Sequence, residues 1–397
     1  MAESPSQDVA TNTTVPIEIV SEEEMAFLEA ALAATRSSSC IIPAILSPSR
    51  SLLFQENARS IRTITSLSKR RLIQSDIEDL GDSKSTQKKN RAADSFYLKF
   101  RKKNGLSVTD ITSTEWCQKQ MELVLQYGKK KMTKPMKAGH DRHVKLEEEV
   151  VKKVRVIISS AEDAWALKFL NFITGANQLL FEGLTREIPV VGYLEGVWIV
   201  GIIDEIRIPE GENKNPLLVD TKTRKRDTLP AEPQKRNGRL QLMCYKKLWD
   251  NLVADKFPFK SFFEFFSLDP HYVLSKEIRE NTANAGIPAE TLDEIVRYFR
   301  TTCKTLLPAD NEMLLRYEWQ NDYSVIGEDL FAYDPDWLNS QIHECLEFWL
   351  GEREASFVPE EERWKCHHCQ YASKCPLNDV SATSSSAESI SLISSQS

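Results

Sequence analysis

The sequence predicts an α/β domain, in which buried strands and amphipathic helices alternate along one folded region. Short apolar runs, such as residues 185–191, indicate strands. Longer segments with helical periodicity, such as residues 160–173 and 334–350, lie before and after those runs. The composition, with 41% hydrophobic and 27% charged residues, is that of a folded globular chain.

The 397 residues divide by composition into three regions. We expect residues 1–90 to be largely disordered and residues 379–397 to form a disordered, serine-rich tail, with the folded domain at 91–378. Residues 36–71 are rich in Ser and Arg with the single acid Glu56, which is typical of an organelle-targeting segment. The acids ahead of that stretch argue against targeting, and a disordered linker remains the alternative.

The bulk properties exclude several classes of protein. No apolar run is long enough to cross a bilayer. The net charge of −7 excludes a chain coated in positive charge. Eight cysteines in a chain of this length, without a secretory signal, do not indicate a disulfide framework.

Cap residues and periodicity place the elements of the folded region in order. The predicted helices are 106–128 (a turn, then a helix capped by Ser113 or Thr114 and closed by Gly128), 139–150, 160–173, 238–252, 291–306 and 334–350. The predicted strands are 151–158, 185–191, 198–203, 216–219 and the aromatic run 262–266.

The domain is organised around a predicted hairpin at residues 198–222. An acid directly follows each apolar run, Asp204 after the first and Asp220 after the second, with turn residues halfway between them. Antiparallel pairing about that midpoint would place the two carboxylates opposite each other, and Lys222 would share the face of Asp220. Buried charges of this kind must serve each other, a metal or a substrate. The alternative is an exposed strand end with ordinary surface residues.

Two basic clusters accompany the hairpin. They consist of Lys129, Lys130, Lys131, Lys134 and Lys137, and of Lys222, Arg224, Lys225, Arg226, Lys235, Arg236 and Arg239. Basic runs are usually solvated faces, but two of them beside an acidic site indicate a phosphate-rich partner.

A C-x2-C-x5-C motif near the C-terminal end, formed by Cys366, Cys369 and Cys375, predicts a metal site. Zinc with a mixed ligand set is open, because His367 and His368 lie inside the motif. The other interpretation is an iron–sulfur cluster with one distant ligand, for which Cys117 is the best candidate.

Taken together, these motifs resemble the iron–sulfur branch of the RecB-type PD-(D/E)xK nucleases, in particular the exonuclease V family. The resemblance rests on G-x3-H at 139–143, GIIDEI, DTKTR, the Q-x3-Y of the QLMCYK helix and WKCHHCQYASKC, in that order. It covers residues 95–376 and implies a restriction-endonuclease-like core, in which helices flank a mixed central sheet, closed by a C-terminal iron–sulfur region.

The resemblance also implies roles for individual residues. His143, Asp204 and Asp220 match metal ligands, and Lys222 matches the catalytic lysine. Gln241 and Tyr245 match a motif that supports the site, Glu187 is an additional acid, and Cys117, Cys366, Cys369 and Cys375 match the ligands of a [4Fe–4S] cluster. Asp220 departs from relatives that carry Glu at this position.

The implied activity is Mg²⁺- or Mn²⁺-dependent hydrolysis of single-stranded DNA by an exonuclease, in genome maintenance. A non-catalytic single-strand-binding module and an endonuclease or flap nuclease are the alternatives. The expected protein is a monomer in a DNA-containing compartment, the nucleus, the mitochondrion or the chloroplast. A single-strand-binding protein is a candidate partner, and no membrane is expected.

Overall fold

The computed structural model describes residues 95–129, 131–150, 156–211 and 214–377. The predictions of disorder and targeting for residues 1–90, and of a disordered tail from residue 379, lie outside the described residues. So does most of the predicted strand at 151–158, whose last three residues are not in a strand. None of the described helices has the length and hydrophobicity needed to cross a bilayer.

Helices and strands alternate through the described residues. The helices are α1 Phe96–Phe100, α2 Val108–Trp116, α3 Gln118–Tyr127, α4 Lys134–Glu148, α5 Ala161–Glu182, α6 Glu232–Val253, α7 Phe259–Phe266, α8 Lys276–Asn284, α9 Leu292–Thr305, α10 Pro335–Trp349 and α11 Trp364–His367. The strands are β1 Leu106–Ser107, β2 Leu184–Leu194, β3 Val197–Arg207, β4 Leu217–Arg224, β5 Glu312–Trp319 and β6 Val325–Ala332.

The six strands form one mixed sheet, with β3 and β4 in its interior. Strand β2 pairs antiparallel with β3 along its whole length, through a two-residue turn in which both residues, Glu195 and Gly196, have positive φ. Strand β4 pairs antiparallel with the end of β3 and parallel with β5, and β6 closes the sheet beside β5. The implied architecture, a mixed sheet flanked by helices, is therefore present.

An aromatic cluster joins the sheet to the helices that cover it. Trp198 of β3 contacts Phe262 of α7, and Phe262 contacts Trp165 of α5. Phe172 of α5 packs between Trp249 of α6 and Phe299 of α9. All six side chains are buried, so this cluster fixes α5, α6, α7 and α9 relative to the sheet.

The predicted strand at 262–266 is wrong, because these residues belong to helix α7. Phe262 and Phe266 are four residues apart, share one helical face and are buried against Trp165 and Trp198. A short, mostly apolar run is compatible with either a strand or a helix. Here tertiary packing stabilises the helix.

The predicted helix within 106–128 is two helices, and neither Ser113 nor Thr114 caps it. Helix α2 begins earlier, with a reciprocal capping box between Ser107 and Asp110. It ends at Cys117, whose extended backbone stops α2 and whose Sγ caps α3 by accepting a hydrogen bond from the amide of Gln120. The remaining predicted helices and the hairpin are confirmed, with α5 and α6 longer than expected.

Candidate functional site

His143, Asp204 and Asp220 each direct one potential metal-ligand atom towards a common point. These atoms all lie within 4.8 Å of one another, which is a spacing that a metal ion can bridge. His143 comes from α4, Asp204 from β3 and Asp220 from β4. The structure therefore brings together three residues predicted to be metal ligands, from three separate elements.

Strand register explains how the two aspartates meet. Glu205 of β3 pairs with Val219 of β4, and continuing that antiparallel register by one residue places Asp204 opposite Asp220. Lys222 lies two residues beyond Asp220 and therefore on the same face of β4. Its Nζ is 2.7 Å from Oδ2 of Asp220.

Asp220 is fully buried. Neither of its carboxylate oxygens accepts a well-oriented hydrogen bond within the described residues, although Lys222 Nζ is in ion-pair range. Burial acts to raise the pKa of Asp220, but the positive charge of Lys222, followed by the close approach of Asp204 and Lys222, outweighs burial, so the pKa is lowered. Asp220 therefore presents a buried carboxylate with acceptor capacity directed at the site.

Asp204 behaves in the opposite way. Burial and the neighbouring charge of Asp220 raise its pKa well above the usual range, and Glu187 adds to the repulsion. Oδ2 of Asp204 lies 3.8 Å from Nδ1 of His143. Burial lowers the pKa of His143, so the neutral imidazole is favoured. Two facing carboxyl groups and a neutral imidazole are a donor set that a hard divalent cation would stabilise.

Helix α6 supports the lysine. Lys222 Nζ donates to Oε1 of Gln241 at 2.8 Å, and Nε2 of Gln241 lies 3.5 Å from the hydroxyl of Tyr245, one helical turn away. Tyr245 is buried. The predicted Q-x3-Y pair thus holds the ammonium group against the groove.

Helix α4, which carries His143, is fastened to the sheet by its neighbours. Arg142 donates two hydrogen bonds to Glu318 of β5, and its guanidinium lies 4.7 Å from the ring centroid of Tyr323. At Gly139 the helix approaches β4 so closely that a Cβ there would lie 3.2 Å from Oγ1 of Thr223. These contacts bring the histidine within reach of the two strands.

The site opens into a groove of about 610 Å³. Its lining residues are Thr109, Met132, Pro135, Met136, Gly139, His140, His143, Glu187, Ile202, Asp204, Lys222, Thr223, Lys225, Gln241, Tyr245 and Gln320. Glu187 lies opposite Asp204 in the β2–β3 register but with φ of 55°, an uncommon conformation for this residue type in a strand. The additional acid that the resemblance implied is therefore beside the site.

The four predicted cluster cysteines also meet. Cys117, Cys366, Cys369 and Cys375 line one cavity, and each of the three C-terminal thiols interacts electrostatically with Cys117. Burial, followed by those three neighbours, raises the pKa of Cys117. His367 and His368 are exposed and do not line this cavity. The donor set around it is therefore four thiols.

A partly buried ion-pair network ties the cysteine site to α6. Arg236 binds Glu115 of α2 at 2.7 Å and makes two contacts with Glu362, which precedes the C-terminal cysteines. Lys365 binds Glu362 at 2.6 Å and donates to the backbone carbonyl of Trp116. The network therefore joins both sequence-distant halves of the cysteine site to one helix.

The two predicted basic clusters have different surroundings. Much of the second serves internal ion pairs, since Arg239 and Lys235 bind Asp329 and Arg236 binds Glu115 and Glu362. The described lysines of the first cluster are exposed. Phosphate contacts can therefore come from the first cluster and from Lys225 at the groove, whereas these three residues of the second have structural partners.

Sequence reasoning missed several residues around the site. Arg142, Glu318 and Gln320 position α4, and Gln320 donates to both Thr223 and the carbonyl of Pro135. Only Thr223, inside DTKTR, had a sequence signal. The others come from elements up to 185 residues apart in sequence, and no local pattern indicates such a contact.

Comparisons with known proteins show the family to which the chain belongs. A family model described as Exonuclease V, a 5′ deoxyribonuclease, matches residues 95–217, 210–297 and 281–376. Exonuclease V of Danio rerio is 30% identical over 282 residues, which are 70% of this chain and 71% of that protein. Mitochondrial exonuclease V of Candida albicans strain WO-1 is 25% identical over 85 residues, which are 20% of this chain and 14% of that protein.

Among solved structures, the crystal structure of SSO0001 shares 12% identity over 69% of this chain and 86% of its own, with a TM-score of 0.30. The family match spans nearly all of the described residues, including the carboxylate groove and the cysteine site. The chain therefore belongs to the exonuclease V family and is a DNA exonuclease, a hydrolase acting on phosphodiester bonds.

Proposed function

We propose that this chain is a metal-dependent exonuclease specific for single-stranded DNA, with a PD-(D/E)xK core closed by a [4Fe–4S] cluster, that acts in DNA repair. The observation that carries the proposal is the convergence of His143, Asp204 and Asp220 within 4.8 Å, beside Lys222, in one open groove. Hard oxygen donors with one imidazole, next to an ammonium group, suit hydrolysis of a phosphodiester.

The residues present fit a divalent cation. Among the described residues none gives the buried carboxylate of Asp220 a well-oriented hydrogen bond, and Asp204 faces it across a distance that favours shared binding of a positive charge. His143, Asp204 and Asp220 would hold Mg²⁺ or Mn²⁺. When bound, such a cation supplies Lewis-acid stabilisation of the phosphate oxygens.

The chain's own groups account for the rest of the proposed mechanism. Lys222 is held by Asp220 and Gln241, so its ammonium stays at the wall of the groove and stabilises negative charge that develops on the phosphate. The groove orients the strand so that the scissile phosphate meets the lysine and the three ligands together. Met132 and Met136, both about half exposed at its edge, suit contact with unstacked bases.

The four thiols fit a [4Fe–4S] cluster, because the cavity has cysteine donors and no histidine among its lining residues. This donor set does not match the mixed ligands of the zinc alternative, which required His367 or His368. Bound there, the cluster would join residues from both ends of the folded region and stabilise them.

The decisive experiment is a digest of labelled oligonucleotides, single-stranded and duplex, with free and with blocked ends, in Mg²⁺. We expect the parent protein to degrade single strands from free ends. Asp204→Ala and Lys222→Ala should bind single strands without cutting them, whereas Asp336→Ala, a matched change of an exposed acid on α10, should cut normally.

Two results would overturn the proposal. A parent protein that cuts end-blocked strands internally would be an endonuclease or flap nuclease. A colourless, zinc-loaded and fully active preparation would eliminate the cluster, since anaerobically purified protein should be brown.

We also propose an organelle, the mitochondrion or the chloroplast, or the nucleus as the compartment. Support for an organelle comes from the mitochondrial Candida relatives, although the matched segment is 14% of the WO-1 protein. Imaging of the tagged full chain tests this assignment. A monomer and a single-strand-binding protein as partner complete the proposal, and sedimentation with and without that partner tests both.

A further inference from the structure

Exposed residues on both sides of position 130 lie between the two candidate metal centres. Every described residue from Gln126 to Lys137 is exposed. We name the described residues 127–129 and 131–137 the strip. Its lysines are Lys129, Lys131, Lys134 and Lys137, and the sequence has no acid between Glu122 and Asp141.

One end of the strip lies against the cysteine site. The buried Tyr371, between Cys369 and Cys375, donates a hydrogen bond from its hydroxyl to the carbonyl of Gly128. Lys374 places its Nζ 3.6 Å from the ring centroid of Tyr127. The two loops that form this end are thereby fixed to each other.

The other end enters the groove. Met132, Pro135 and Met136 line the same cavity as His143, Asp204 and Lys222. The strip therefore begins beside the thiols and ends beside the carboxylates.

Its side chains combine the two features that bind single strands without sequence preference. Tyr127 is 57% exposed although an ammonium group covers one face of its ring, so the rest of the ring is open to a base. The lysines supply positive charge for phosphates, and Met132 and Met136 offer apolar contact beyond the ring. A folded chain gains little from exposing an aromatic ring and two methionines together, so the arrangement indicates a ligand.

We propose that the strip, with Lys374, is the binding site for the part of a DNA single strand that lies outside the groove, with Tyr127 as the stacking platform. This proposal rests on the single-strand specificity proposed above. Met132 is five positions after Tyr127, so this part of the strip spans at most about 17 Å. At a stacked rise of about 3.4 Å it accommodates roughly five nucleotides beyond those in the groove.

The test measures the affinity of full-length protein for oligo-dT of 3, 6, 9 and 12 nucleotides by fluorescence anisotropy. All proteins carry Asp204→Ala so that the strand is not cut. We expect affinity to rise with length up to about nine nucleotides, and Tyr127→Ala to weaken 9-mer binding about tenfold while changing 3-mer binding less than twofold. Tyr127→Phe should bind like the parent.

Charge is tested separately. Lys131→Gln with Lys134→Gln should lower the slope of log affinity against log salt by about 1.4, or about 0.7 for each phosphate that a lysine no longer neutralises. Matched controls are Tyr272→Ala and Lys276→Gln, an exposed tyrosine and an exposed lysine that do not line the groove.

The outcomes distinguish failure of the proposal for the strip from failure of the proposed function. If Tyr127→Ala binds all lengths as the parent does, or weakens binding of 3-mers and 9-mers equally, the strip is wrong while the nuclease assignment stands. If the parent binds duplex in preference to single strands, the proposed single-strand specificity is wrong. The proposal for the strip is then wrong as well.

Discussion

The carboxylate site and the cysteine site are held together in different ways. Asp204 and Asp220 lie on neighbouring strands inside the sheet, where backbone hydrogen bonds fix their register. Cys117 lies between two helices, and the other three cysteines lie in a segment built of one four-residue helix and two 3₁₀ turns. One site is set by the sheet, whereas the other depends on short local elements.

This difference predicts different consequences of leaving each proposed metal site empty. The strands would keep the carboxylates in place without an ion, so a divalent cation should matter for chemistry more than for folding. Cys117 and Cys366 are 249 positions apart in sequence (366 minus 117), so a group bound by both would restrain the unfolded chain strongly. The proposed cluster should therefore matter first for stability.

The largest expected effect is on stability, from Cys117→Ser. By analogy with a cross-link that closes a loop of this length, loss of the link between Cys117 and the C-terminal cysteines should lower the free energy of unfolding by about 5 kcal/mol. The melting temperature should fall by roughly 10 °C. Thermal melting and visible absorbance measure both changes. Cys303→Ala, which removes a buried thiol from α9, should keep the absorbance. If EDTA destabilised the parent as much as this substitution does, the contrast between the sites would be wrong.

The second effect is on catalysis, from Asp204→Asn. Cleavage should fall by about 10²–10³-fold, because the substitution removes a ligand charge. Stability in EDTA at pH 8 should be equal or higher. Burial and Asp220 raise the pKa of Asp204, so its ionised form costs folding free energy above its unfolded pKa, and asparagine carries no such cost. A clear drop in melting temperature would contradict this account of the pair.

The smallest effect concerns the acid lability of the cysteine end. Hydrogen bonding to Arg236, helped by Lys365 and opposed by burial, lowers the pKa of Glu362 to about 2. A depressed carboxylate pKa stabilises the fold above the unfolded pKa of about 4.3 and loses that contribution as pH falls towards 2. Glu362→Gln should cost about 1–3 kcal/mol at pH 7 and progressively less below pH 4.5. Denaturant titrations of both proteins across this range measure the difference, and a gap that does not change with pH would refute the ion pair's role.

Much of the site could be predicted because it rests on local rules. The symmetric placement of Asp204 and Asp220 about a turn predicted their register, and period-two geometry added Lys222. The cysteine motif and the Q-x3-Y spacing are also local, so the sequence located Gln241 and Tyr245 on one helical face.

The remainder depends on contacts that no local pattern encodes. Cys117 fits the first turn of a helix by pattern, whereas it ends one helix and caps the next. The aromatic run at 262–266 is helical only because Trp165 and Trp198 receive one face of it. The basic residues Arg236 and Arg239 resemble phosphate contacts in sequence, but acids more than 80 positions away bind them.

Arg236 and Gln241 are five residues apart on α6, which is about 7.5 Å along the helix axis. The first holds the cysteine end of the molecule and the second holds the amine of Lys222. A helix moves as a rigid rod over so short a length. Loss of the proposed cluster at the cysteine end would therefore act through the same short rod on the residue that aims the amine, so activity should decline together with stability.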